Sequence, residues 1–159
     1  MQGLTVHPTG KFLYSEEMNL QSFNYEIVGF QINADGSLTR LPNPAQTPDT
    51  GVFQLLVSPN GNFLYHTANG VLRAYQIDQN TGALSLTGVF QAILNVAIDP
   101  TVKFVFSSQV MLIQPGQAIV QKAINVYAVD PNTGALTLIP DATVATTDTP
   151  ESLAVDKTQ

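Results

Sequence analysis

Apolar residues along this chain fall into short runs, each closed within a few positions by a turn signal. In the middle of the chain the runs read Leu55–Ser58, Phe63–Thr67, Val71–Ile77 and Ala83–Thr87. Pro-Asn-Gly joins the first pair, and Asp-Gln-Asn-Thr-Gly joins the last. The runs are rich in aromatic and β-branched residues, which predicts strands, and they carry apolar side chains on both faces. Two-sided burial implies a sheet wedged between neighbouring sheets. No segment holds an apolar period of 3.6 residues, so helix is expected to be nearly absent.

The same unit recurs along the chain. Its first half appears as LTVHPTGKFLY (Leu4–Tyr14), LLVSPNGNFLY (Leu55–Tyr65) and VAIDPTVKFVF (Val96–Phe106), and begins again as LAVDKTQ (Leu153–Gln159). Its second half is VGFQINADGSLTRL, LRAYQIDQNTGALSL and NVYAVDPNTGALTLI. Pro8, Pro59 and Pro100 mark the first half; Gly36, Gly82 and Gly134 mark the second. Between Pro8 and Lys157, which stands at the next proline position, lie three periods averaging about 50 residues, a propeller-like repeat. The expected fold is therefore all-β: three four-stranded antiparallel β-propeller blades plus one extra strand, an incomplete ring. The blades are expected at 4–54, 55–95 and 96–152, with the first strand of a fourth at 153–159.

Four strands A to D per blade put the A–B and C–D turns at one end and the B–C and D–A connections at the other. The Pro-to-Gly spacings are 28, 23 and 34 residues, and the Gly-to-next-mark spacings are 23, 18 and 23. The length variation falls on the B–C and D–A end, where a rigid scaffold carries function. Candidates at that end are Glu16, Glu17 and Glu26 in the first B–C loop, His66 and Asn69 in the second, and Asp49, Asp148 and Glu151 in D–A connections. The third B–C segment, QVMLIQPGQAIVQKA, reads as strands B and C prolonged around a Pro-Gly turn. Its apolar residues, Val110 to Ile113 and Ile119 to Val120, would need a partner if the hairpin projects.

The Pro-x-Gly-x-Phe-Leu-Tyr and Thr-Gly-x-Leu units resemble the seven-bladed lactonase family, including its 6-phosphogluconolactonase-like members, and the related YVTN-type repeats. The resemblance covers nearly the whole chain and implies a propeller. It also implies a Pro-Arg-His before strand A and a Glu after the strand-B Tyr, directed at the channel for lactone chemistry. At the expected His positions this chain has Gly3, Gln54, Asn95 and Ser152. Pro150-Glu151-Ser152 keeps the proline alone, and Glu17 is one residue out of register. Lactone hydrolysis needs a base for water and a cation for the oxyanion, whereas Gln54, Asn95 and Ser152 suit a polar ligand.

Composition narrows the function further. Twelve Asp and Glu outweigh six Lys and Arg, giving a net charge of −6. That opposes nucleic-acid binding, and no basic amphipathic or spanning stretch points to a membrane. With no cysteine there is no disulfide or thiolate chemistry. No signal peptide is expected in MQGLTVHPTG, and the Thr-, Asn- and Gln-rich, Lys-poor composition fits a secreted or periplasmic bacterial protein.

His7, Ser58, Asp99 and Asp156 stand before the turn mark as side-chain caps. Asp78-x-Asn80 and Asp130-x-Asn132 are hairpin turns with too few oxygens for calcium. Two histidines at unrelated positions do not make a zinc site, and no cofactor is expected.

The reading is a non-catalytic binding and assembly module. Its ligand-contacting residues are Gln54, Asn95, Ser152, His66, Glu16, Glu151 and Arg73. The alternative is part of a sugar-lactone hydrolase using Glu17 and residues from further blades or a second copy. Its expected partners are itself or further blades, and a small polar or sugar-derived ligand.

Overall fold

The computed structural model describes residues 3–21, 23–47, 54–91, 95–114, 117–148, 150 and 152–156, with backbone alone for strand residues 46, 91, 109–114 and 117–121. The first sheet runs in the order β1 (Leu4–Val6), β2 (Phe12–Met18), β3 (Tyr25–Ile32), β4 (Leu38–Arg40), and β5 (Ala45–Thr47) extends it along β3. The second is β6 (Gln54–Val57), β7 (Phe63–Ala68), β8 (Val71–Ile77), β9 (Leu84–Gln91). The third is β10 (Val96–Ile98), β11 (Phe104–Gln114), β12 (Gln117–Val129), β13 (Leu136–Leu138), with β14 (Val144–Ala145) beside β12. Every pairing is antiparallel between neighbours in the chain or nearly so. These are three propeller blades, and their ring is not closed. A single 3-10 turn, Pro140–Ala142, is the helical element among the described residues.

The blades pack face to face through the two-sided strands. Between blades 1 and 2, Phe12, Tyr14 and Ile27 meet Leu55, Leu64, Tyr75 and Ile77. Between blades 2 and 3, Phe63, Tyr65, Leu72 and Ala74 meet Val96, Val105, Tyr127 and Leu136. Full burial of such side chains stabilises by about 1.5–3 kcal/mol each, so the repeat's sequence and its stacking are one pattern.

Two hydrogen bonds recur across these interfaces. The hydroxyl of Tyr14 donates to Gly82 O at 2.9 Å, and that of Tyr65 donates to Gly134 O at 3.0 Å. Each tyrosine stands on strand B of one blade, and each glycine closes the C–D turn of the next. Those glycines have φ of +72° and +71°. A Cβ on Gly82 would lie 2.7 Å from Leu41 Cδ1 and 2.8 Å from Phe12, and one on Gly134 would lie 2.5 Å from Phe63. Glycine serves there for both its conformation and its lack of a side chain.

Three of the four expected turn caps, Ser58, Asp99 and His7, take their roles. Ser58 Oγ accepts Phe63 N at 3.0 Å, Asp99 Oδ1 accepts Phe104 N at 2.7 Å, and His7 Nδ1 accepts Thr9 N at 3.3 Å. His7 does more: its Nε2 lies 2.9 Å from Gly61 O, so the imidazole struts the A–B turn of blade 1 against that of blade 2. Asp78 and Asp130 each accept two backbone N–H groups of their own turn. Gln79 donates to Gly61 O at 3.0 Å, which ties a C–D turn to an A–B turn at one end of blade 2.

Two expectations change in detail. Strand β9 continues past Thr87 to Gln91, with a bulge opposite Ala74 and Tyr75. Glu16, Glu17 and Glu26 are not in a loop. Strand β2 reaches Met18 and β3 begins at Tyr25, so all three lie on the ladder, Glu17 directly opposite Glu26. Facing carboxylates repel, and Arg40 on β4 offsets this by reaching both. The prolonged third hairpin is present as backbone, with pairs from Phe104↔Ala128 out to Gln114↔Gln117; its Pro-Gly tip and the side chains of 109–121 lie outside the described residues. Ser152–Asp156 forms no ladder.

Candidate functional site

The anticipated site residues separate into three groups. The first is buried between blades 1 and 2. Glu16 on β2 points toward blade 2, and His66 on β7 points back. Glu16 Oε1 lies 2.8 Å from His66 Nε2, with side-chain exposures of 2% and 0%. In the β7–β8 ladder His66 stands opposite Arg73, also buried, and Tyr75 follows two residues along on the same face. Burial pushes the Tyr75 phenol up to about 12, while Arg73 pulls it down and Glu16 pushes it further up. His66 Nδ1 and the Tyr75 hydroxyl are buried with no hydrogen-bond partner among the described residues. This buried acid–imidazole pair joins blade 1 to blade 2.

The second group lies on the far face of blade 1. Arg40 Nη1 is 2.7 Å from Glu17 Oε2, and Nη2 is 3.4 Å from Glu26 Oε1. Glu17 and Arg40 are exposed and Glu26 is nearly buried. Glu17, the residue proposed for lactone chemistry, is therefore held by a guanidinium on the opposite face of the blade from Glu16, because successive strand residues alternate sides.

The third group sits where the innermost strands begin. Gln54 Oε1 accepts the backbone N–H of Val96 at 2.8 Å, which ties blade 2 to blade 3. Asn95 Nδ2 donates to Ser108 Oγ at 3.3 Å and to Pro150 O at 3.5 Å. Ser152 is exposed. Gln54 also lines a cleft of about 290 Å³ with Leu56, Val57, Val96, Ile98 and Leu153, open between the innermost strands and the terminal segment. An adjoining cleft of about 350 Å³ is walled by Ala97, Phe106, Ile124 and Leu153 to Asp156.

Lys122 lies 3.5 Å from Asp148. Asn69 takes φ of +50° in the tight β7–β8 turn, and that position explains its type. Asp49 and Glu151 lie outside the described residues. Among the described residues no three His, Asp or Glu side chains converge as metal ligands.

The sequence placed Glu16, His66 and Arg73 at one end of the blades. It did not single out Tyr75 or Arg40 as their neighbours. The signal for Tyr75 was its in-phase spacing with Arg73, and for Arg40 its position on the strand beside two glutamates.

No protein-family model matches the chain, and no curated protein matches it in sequence. Solved structures do. A candidate 6-phosphogluconolactonase of Bacteroides fragilis superposes with a TM-score of 0.69 at 22% identity, over 94% of this chain and 40% of that one. One of Bacteroides uniformis gives 0.64 at 20% identity, over 85% of this chain and 38% of that one. The periplasmic gluconolactonase of Pseudomonas aeruginosa gives 0.63 at 20% identity, over 89% and 38%. The chain thus spans about 40% of the length of these structures. At such identities the likeness is one of fold, a β-propeller, represented here by three unclosed blades.

Proposed function

We propose that this chain is a non-catalytic propeller module for binding and assembly, contacted at the end of its blades that carries the B–C and D–A connections. The supporting observation is how its ionisable groups are spent. Glu16 is used by His66, Glu17 and Glu26 by Arg40, and Asp148 by Lys122. A general base needs a lone pair within reach of a substrate-bound water, and these carboxylates serve the blades instead. Gln54 and Asn95, where the resemblance implies a His, are neutral and bridge successive blades through part of their hydrogen-bonding capacity. What remains suits a small polar or sugar-derived ligand held without being hydrolysed.

The second reading, part of a sugar-lactone hydrolase, is favoured by the lactonase names of the structural neighbours. Rates of δ-gluconolactone and 6-phosphoglucono-δ-lactone hydrolysis, measured for the chain and for Glu17→Gln, separate the two. The module reading expects no rate above the spontaneous one. A rate that Glu17→Gln abolishes would overturn it.

A further inference from the structure

The inter-blade contact occurs twice within the chain, so it shows what each open face is shaped to receive. One face of a blade offers a strand-B aromatic pair, Phe12 and Tyr14 or Phe63 and Tyr65. The next blade answers with a left-handed glycine in its C–D turn, Gly82 or Gly134, whose missing side chain admits the Phe ring. By register the third copy of the aromatic pair is Phe104 and Phe106 on β11, and the third copy of the glycine is Gly36 on blade 1. Both are unused. Phe104 is 39% exposed, against 4% for Phe12 and 1% for Phe63. Nothing lies within 4 Å of a Cβ on Gly36, whereas Gly82 and Gly134 each meet a ring inside 3 Å.

The surrounding positions repeat the mismatch. Leu4, Val6 and Leu38 on blade 1 are 58%, 51% and 50% exposed. Their register equivalents are Leu55, Val57 and Leu84 on blade 2, and Val96, Ile98 and Leu136 on blade 3, and all of these pack in the two blade interfaces. The two open faces are thus the knob and the hole of the apolar part of an interface the chain already builds twice; Phe106 lacks the hydroxyl that Tyr14 and Tyr65 donate there.

We infer that two copies of this chain close head to tail, each seating its Phe104 on the Gly36 turn of the other. A second copy fits because it brings both faces in equal number, so closure leaves neither open. Two copies make six blades, inside the four-to-eight range of closed propellers, whereas three copies would exceed it. Leu153-Ala154-Val155 repeats Leu4-Thr5-Val6 in pattern, has no ladder partner, and faces Phe106 and Ile124 across the cleft of about 350 Å³. The contact is heterologous, which fixes how mutations behave.

This rests on the reading of the chain as an assembly module, not on its lacking catalysis. Mass by light scattering and analytical ultracentrifugation tests it apart from any lactone assay. The full chain is expected to pass from one to two chain masses as concentration rises. Phe104→Asp and Leu38→Asp alter residues already exposed in the single chain, so each is expected to keep its circular dichroism spectrum and stay at one chain mass. An equimolar mixture of the two variants retains one intact joint and is expected to return to two chain masses. A full chain that stays at one mass at every concentration overturns the inference and leaves the open faces to further blades or to a different protein. So does a pair that both variants leave intact, or a mixture that does not re-form.

Discussion

Replacing Tyr65 by Phe removes one oxygen from the middle of the blade 2–blade 3 interface and leaves the packing in place. The Tyr65 hydroxyl donates to Gly134 O at 3.0 Å and is buried. Burial also raises its pKa, so the donor keeps its proton throughout the range in which the protein is handled. The variant loses a neutral hydrogen bond, about 0.5–1.5 kcal/mol, and strips a buried carbonyl of this partner, about 1–3 kcal/mol if that group is left unsatisfied. The ring remains, so the apolar area buried is unchanged. A net loss of about 1–2 kcal/mol is expected. With a urea m-value of about 2 kcal/mol/M for a domain of this size, the midpoint should fall by roughly 0.5–1 M. Far-ultraviolet circular dichroism is the suitable probe, because the variant deletes a tyrosine and the chain has no tryptophan. Tyr14→Phe, which frees Gly82 O, should cost a similar amount. The two contacts share no partner, so the double variant should show the sum. Losses below about 0.3 kcal/mol in both single variants would refute the idea that these hydroxyls hold the blades in register, and would assign the interface to apolar contact alone.

Three further outcomes follow from the same geometry. Gly82→Ala meets both a positive φ and two side chains inside 3 Å, and should cost about 2–4 kcal/mol by denaturant titration. Gly36→Ala, with a similar φ but open space in the single chain, should cost about 1 kcal/mol when measured at a concentration where the chain stays at one chain mass; equal losses there would contradict the close packing at Gly82. Glu16→Ala breaks the buried bond to His66 and should lower stability by about 2–3 kcal/mol, with Glu16→Gln, which keeps an acceptor, recovering part of it. The last outcome concerns acid. Backbone N–H groups of Thr81 and Asn80 hold the Asp78 carboxyl below its ordinary range, and those of Asn132 and Thr133 do the same for Asp130. The folded chain therefore takes up these protons less readily than the unfolded chain. Their stabilisation is complete above the ordinary carboxylate pKa near 3.9 and is lost as pH falls through the lower folded values. The double Asp78→Ala, Asp130→Ala variant should show a shallower loss of midpoint below about pH 4 and a parallel profile above it; an unchanged acid limb would contradict this.

The local level of this protein was legible in its sequence because it repeats. A short strand bounded by Pro-Asn-Gly or Asp-x-Asn-Thr-Gly is fixed by dihedral preferences and side-chain caps acting within five residues, so blade 2 could be drawn almost strand for strand. Three copies of that pattern determined the blades, and the two apolar faces of each strand determined that blades must stack. Tertiary structure decided what the ends of the strands are for. Whether Glu16 and Glu17 belong to a loop or a ladder depends on how far β2 and β3 stay paired, which is a cooperative property of two segments joined across a turn. Once they are paired, alternation sends Glu16 inward to His66 and Glu17 outward to Arg40, two fates for adjacent identical residues that no local signal distinguishes. In the same way a phenylalanine in Phe-Leu-Tyr or Phe-Val-Phe reads alike in every copy. Only the presence or absence of a neighbouring blade makes Phe63 core and Phe104 surface, because burial belongs to the assembled stack and not to the residue.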